Sequence, residues 1–271
     1  MGITPLSAVA TAAVREAEDG LDFCQQVARE TGLQIRVIDG KQEARLSAQG
    51  VLLGWPGSYG LVCDIGGSSM ELAEISDGKV GKRQSSDLGP LKLQGISGGK
   101  KARNDHIKTT IMALKDKMGL QQNRLFLVGG SWRALARVDM ERRNYPLHVP
   151  HEYRMSTQGI NETIKLLEAS DPEKLRRLCH ISANRMALLP IACEVLRRLL
   201  ITFAPKDIAI SSYGLREGLL FAQMPKKLRD RDPLIEACYF AEAKDARFPG
   251  FGKRLYRFIQ PLFRDFSKAK R

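Results

Sequence analysis

From Leu61 to Leu72 the chain runs Leu61-Val62-Cys63-Asp64-Ile65-Gly66-Gly67-Ser68-Ser69-Met70-Glu71-Leu72, a short apolar run ending in a glycine turn with a carboxylate on either side. The apolar stretch is too brief for a helix, so the segment reads as a buried strand, a turn and a returning extended segment over Met70 to Ile75. Successive backbone N–H groups at such a turn form a nest for an anion such as phosphate. Glycine lets the backbone approach the anion, Ser68 and Ser69 add hydroxyl donors, and Asp64 and Glu71 suit a hard cation such as magnesium. Asp and Gly are also the residues any hairpin prefers, so the surrounding pattern has to decide the reading.

That pattern alternates strands with helices. Leu6 to Val14 reads as a buried strand, Leu21 to Thr31 as a helix stopped by Gly32, and Leu33, Ile35 and Val37 as a second strand. A helix follows over Gly40 to Leu53, and Trp55 to Gly60 is a turn-rich linker that marks a boundary between lobes. Asp77-Gly78 predicts a hairpin into Lys79 to Ser85. Ile107, Ile111, Leu114 and Met118 fall on one stripe of a helix over Asn104 to Met118, and the strand Arg124 to Val128 leads to a second glycine turn, Gly129-Gly130-Ser131. Helices are expected over Ser156 to Glu168, Pro172 to His180, Met186 to Phe203 and Arg216 to Phe221, with a strand at Ile208 to Ile210. The fold class is α/β. The expected division is residues 1–57 for a first lobe, 58–224 for a second and 225–271 for a basic helical extension.

Charge narrows the partners. Forty-three basic against thirty acidic side chains give a formal charge of +13 over 271 residues, which attracts polyanions at long range. Much of the excess lies after Lys226, including Lys226-Lys227-Leu228-Arg229 and the closing Lys268-Ala269-Lys270-Arg271. The five cysteines form no C-x-x-C pair and the four histidines lack zinc-ligand spacing, as expected of a reducing, cytoplasmic compartment. Neither Met1 to Pro5 nor any later segment has the pattern of a leader or a membrane span, so a soluble protein is expected. His106, His148, His151 and His180 show no recurring partner pattern and are read as solvated or structural.

Val37-Ile38-Asp39-Gly40-Lys41-Gln42-Glu43-Ala44-Arg45-Leu46, followed by the Asp64 to Leu72 turn, resembles the exopolyphosphatase and guanosine pentaphosphate phosphatase family. Val9 to Ala17 is similar to that family's strand carrying an Arg near the phosphate, and Val128-Gly129-Gly130-Ser131 to its later glycine turn. Arg185, Leu189-Pro190 and Ser212 to Gly218 complete a resemblance spanning roughly residues 6–221. It implies an actin-like fold of two ribonuclease-H-like lobes and removal of terminal phosphate from polyphosphate or pppGpp. It further implies Glu43 as general base on water, Glu71 as a second catalytic acid, and Asp64 with Glu71 as holders of a magnesium ion. Arg15, Gly66, Gly67, Ser68, Ser69 and Ser131 would bind phosphate. Nucleic acid is not expected as a partner, and a homodimer is left open.

The chain also departs from the family pattern. Members begin with a strand bearing an Asp-x-Gly-Ser turn, two more strands and a helix, all ahead of the segment matching Val9 to Arg15, so the first lobe is expected to be incomplete. Ser68-Ser69-Met70 stands where a third Gly and then Ser-Thr are favoured. The alternative to an active hydrolase is therefore a truncated, inactive member that binds polyphosphate or nucleotide. A sugar or acetate kinase of the same superfold ranks last, because Trp132 directly follows the second turn.

Overall fold

Asp77 and Gly78 both take left-handed backbone angles, with φ of 49° and 71°, and these positive values turn the strand Met70–Ser76 back on the strand Lys79–Ser86 with the twist that strands prefer. The computed structural model describes residues 6–119 and 124–263. The chain divides into two compact units, Met1–Pro225 and Lys226–Arg271.

In the first unit, β1 (Ala8–Ala10) is followed by α1 (Ala12–Arg15), α2 (Gly20–Thr31), β2 (Ile35–Val37) and α3 (Gly40–Gly54). β1 and β2 pair in parallel as a two-stranded sheet. The strand expected over Leu6 to Val14 is thus only three residues long and half-buried, and it gives way to a helical turn. Its Ala-rich continuation favours helix once pairing stops, and among the described residues β2 is its one neighbour in the sheet. α2 ends as expected at Gly32, φ 73°. Asp39 caps α3, its side chain accepting from the Gln42 amide at 2.7 Å.

A meander follows in β3 (Gly60–Ile65), β4 (Met70–Ser76) and β5 (Lys79–Ser86), then α4 (Pro90–Gln94) and α5 (Gly99–Met118). β6 (Arg124–Val128), α6 (Gly130–Arg142), β7 (Arg154–Met155), α7 (Thr157–Ala169), α8 (Pro172–Leu178), α9 (Ala183–Phe203), β8 (Asp207–Ser211) and α10 (Leu215–Gln223) complete the unit. The large sheet has the order β5-β4-β3-β6-β8-β7. The meander is antiparallel and β3, β6 and β8 are parallel, which is the ribonuclease-H-like arrangement. β7 and α4 carry no strong local pattern in the sequence; β7 exists because Arg154 and Met155 pair with Ala209 and Ile208.

Strand alternation sorts the core into two layers. Leu61, Cys63, Ile65, Leu125 and Leu127 face one layer with α5, α6, α7 and α9. Val62, Phe126 and Val128 face the other, with residues of α3 and α10. The stripe Ile107, Ile111, Leu114, Met118 is buried as the spacing predicts, each residue contributing roughly 1.5–3 kcal/mol. α3 and α10 cross so closely that a Cβ on Gly218 would lie 1.8 Å from the Leu46 carbonyl oxygen, and one on Gly50 would lie 2.1 Å from that of Gly214. Only glycine permits this approach, which clamps α3 to the sheet through α10.

The second unit contains α11 (Lys226–Arg229), α12 (Pro233–Asp245) and α13 (Phe251–Ile259). Asp232 caps α12 ahead of Pro233, accepting from the Leu234 and Ile235 amides. The opening residues 1–5 and the closing basic run 268–271 lie outside the described residues. Among the described residues no helix is long and apolar enough to cross a membrane.

Candidate active site

Asp64 is the penultimate residue of β3 and Glu71 the second of β4, and the register sets them directly opposite each other. Strand parity turns both toward the α3 side, since Val62 and Ala73 share that layer. The turn between them is closed by the Gly66 amide donating to the Ser69 carbonyl at 2.9 Å, so one of its four amides is already paired. Gly89 supports the turn from below: a Cβ there would sit 2.3 Å from the Gly67 oxygen. Gly66 and Gly67 are exposed, Ser68 is half-buried, Ser69 is buried, and Met70 points into the core.

The second glycine turn closes on the first. Gly129 has φ 118°, and a side chain there would meet the Ile65 carbonyl at 2.6 Å and Asp64 Oδ1 at 3.2 Å. Gly129 is the N-cap of α6, so Ser131 lies within the first helical turn and does not serve as cap. Gly66, Gly67, Gly130, Ser131 and Arg185 line one pocket of about 290 Å³. Arg185 comes from α9, and its guanidinium would touch a Cβ on Gly130 at 2.7 Å.

α3 brings in Glu43 from its first turn, 8% exposed. Arg15 Nη1 stands 3.7 Å from Glu43 Oε2 while donating to the Ile38 carbonyl at 2.7 Å, which ties the end of α1 to the start of α3. Glu43 Oε2 and Glu71 Oε2 are buried without hydrogen bonds. Glu71 Oε1 accepts from Ser85 of β5 at 2.8 Å, and Asp64 Oδ2 accepts from Ser47 of α3.

Burial, and then the neighbouring Asp64 charge, push Glu43 up to about 7 against the pull of Arg15. Burial, and then the Glu43 charge, push Glu71 to about 8, opposed by the Ser69 and Ser85 hydroxyls. Asp64 is also raised by burial, with Ser47 and Arg133 opposing. Arg133 of α6 donates to the Ser212 carbonyl at 3.3 Å, and burial with neighbouring Arg185 holds its pKa below the usual arginine value. Three acids and a set of arginines therefore meet where the strands end, the arrangement expected of a site shaped for phosphate and proton transfer.

Among the described residues no group of three or more His, Cys, Asp or Glu forms a metal cage. Magnesium does not require one, since it keeps several waters and takes one or two carboxylates plus substrate phosphates. Asp64 and Glu71, adjacent across the ladder with Glu71 Oε2 unpaired, fit that requirement.

The structure thus gathers Glu43, Asp64, Glu71 and Arg15 on one side and Gly66, Gly67 and Ser131 around the adjoining pocket. Ser47, Ser85 and Arg133 were missed. Ser47 had a usable signal, because it follows Glu43 by one helical turn. His151 is stacked between Trp55 and Tyr213, with ring centroids 4.7 and 4.5 Å away, and accepts from the Ser212 amide through Nδ1.

The model of the Ppx/GppA phosphatase family matches residues 1–227. Retrograde regulation protein 2 of Saccharomyces cerevisiae is 23% identical over 262 residues, covering 86% of this chain and 44% of that protein. Exopolyphosphatase 1 of Mycobacterium tuberculosis is 38% identical over 78 residues, 28% of this chain and 23% of that protein. The chain spans less than half the length of these curated relatives. Among solved structures, the PPX-GPPA enzyme of Aquifex aeolicus superposes with a TM-score of 0.67 at 23% identity, over 80% of this chain and 75% of that one. An exopolyphosphatase from Cytophaga hutchinsonii does so at 0.69 and 21%, over 80% and 73%. These two likenesses establish the fold.

Proposed function

The chain belongs to the Ppx/GppA phosphatase family, and on that premise we propose that it hydrolyses the terminal phosphoanhydride of inorganic polyphosphate or of pppGpp. Glu43 is the general base. Its carboxylate accepts a proton from water as the water oxygen bonds to the terminal phosphorus. The bond from that phosphorus to the bridging oxygen breaks, and the shortened chain leaves with the electron pair.

The observation that carries this reading is Glu43 Oε2, buried and without a hydrogen bond. A pKa near 7 suits a base at neutral pH. The remaining amides of the Gly66–Ser69 turn, with Ser131 and Arg15, hold the phosphate being transferred, and Glu71 adds a second titrating acid beside the base. Magnesium bound by Asp64 and Glu71 would offset phosphate charge. The +13 charge of the chain favours capture of such polyanions.

The test is release of inorganic phosphate from long-chain polyphosphate and from pppGpp, with magnesium and with a chelator. Magnesium-dependent release from either substrate is expected. Binding of both without release would overturn the hydrolase reading and leave a binding member of the family.

A further inference from the structure

Ser47 lies four residues beyond Glu43 on α3, 1% exposed, so the two side chains share one face of the helix. A serine inside a helix commonly returns its hydroxyl to the carbonyl four residues back. Here the hydroxyl donates across to Asp64 Oδ2 on β3. The other oxygen, Oδ1, is turned toward Gly129, lying 3.2 Å from where a Cβ on that residue would be. One side chain of α3 therefore fixes which oxygen of Asp64 faces the helix and which faces the second glycine turn.

We propose that Ser47 is a positioning residue, holding the Asp64 carboxylate in one orientation and keeping it in register with Glu43. Two anchors act on α3 along its length. The glycine crossing with α10 sets the depth of the helix against the sheet, and Ser47 sets its contact with the acid at the end of β3. Without the hydroxyl, the crossing persists but Asp64 loses its donor. Its carboxylate then turns about the side-chain bonds toward the nearest remaining donors, among them Arg133, whose charge it already feels.

The effect on turnover rests on the hydrolase reading, but the orientation does not. Two measurements on the whole chain separate them. In a crystal structure of Ser47→Ala, the Asp64 carboxylate should be rotated from its wild-type direction, with α3 and α10 unmoved. In phosphate release from polyphosphate, Ser47→Ala should lower kcat by about 10- to 100-fold with KM changed by less than about threefold, and Ser47→Thr, which keeps the hydroxyl, should restore most of the loss. An unrotated Asp64 in Ser47→Ala overturns the proposal, whatever the kinetics. So does an unchanged kcat in a preparation whose wild type is active. If wild type releases no phosphate, the hydrolase reading fails, and the Asp64 orientation in the crystals still decides the role of Ser47.

Discussion

Glu71 faces Asp64 directly across the β3–β4 ladder, and Glu43 reaches the same side of the sheet from α3, so three carboxylates compete for few donors. Glu43 is raised to about 7 and Glu71 to about 8 from an ordinary value of 4.5. Between those limits the folded chain binds more protons than the unfolded one, so stability falls as pH rises. In the presence of a chelator, Tm should decline from pH 5 to pH 8, and Glu71→Gln should flatten that decline. A Tm that climbs over the same window would contradict the raised values.

Glu43→Gln removes the proposed base while keeping its size. Phosphate release should drop by about 10²- to 10⁴-fold. Polyphosphate affinity, measured by calorimetry, should stay within a few-fold of wild type, because Gln carries no charge to oppose the anion. Equal release by both proteins would remove Glu43 from the chemistry.

Gly218→Ala places a methyl 1.8 Å from the Leu46 carbonyl, backbone that has no soft way to yield. α10 must back away from α3, and overpacking of this kind costs about 1–3 kcal/mol or more. The urea midpoint should fall accordingly. Gly95→Ala is the control, since its Cβ would meet nothing closer than 3.5 Å. A Gly218→Ala midpoint no lower than that of the control would mean the helices do not cross as described.

Asp139 is a buried carboxylate that accepts from Tyr153 at 2.6 Å, Thr163 at 2.5 Å and Arg142 at 2.8 Å. Removing it takes the acceptor from the Tyr153 hydroxyl, while Arg142 keeps Glu162 and Thr163 keeps the Gly159 carbonyl. Asp139→Ala should cost about 1–3 kcal/mol in chemical unfolding. Burial and the Asp139 bond push the Tyr153 hydroxyl up to about 12, so its spectroscopic titration should move down toward the ordinary range in the variant.

Much of the architecture was legible because its signals are local. Asp77-Gly78 announced a hairpin, Gly32 a helix end, Asp171 with Pro172 a helix start, and the four-residue stripe of α5 its buried face. The strand read over Leu6 to Val14 was too long, because an apolar alanine-rich run suits either structure until a neighbour offers hydrogen bonds, and β2 offers them to only three residues. β7 was hidden for the converse reason: Arg154 and Met155 are a strand solely through their partners on β8.

The sequence by itself determined that Asp64 and Glu71 flank a glycine turn; the ladder register, which a one-residue slip would change, sets them opposite each other on one side of the sheet. The sequence also set Glu43 in the first turn of a capped helix. Only the tertiary structure decided that this helix end meets that turn, that Ser47 reaches Asp64, that Arg133 and Arg185 gather beside them, and how far burial raises the acids. Those facts depend on how closely α3 can settle on the sheet. The glycine crossing of α3 with α10 governs that, between residues more than 160 positions apart, a separation over which no periodicity in the chain carries information.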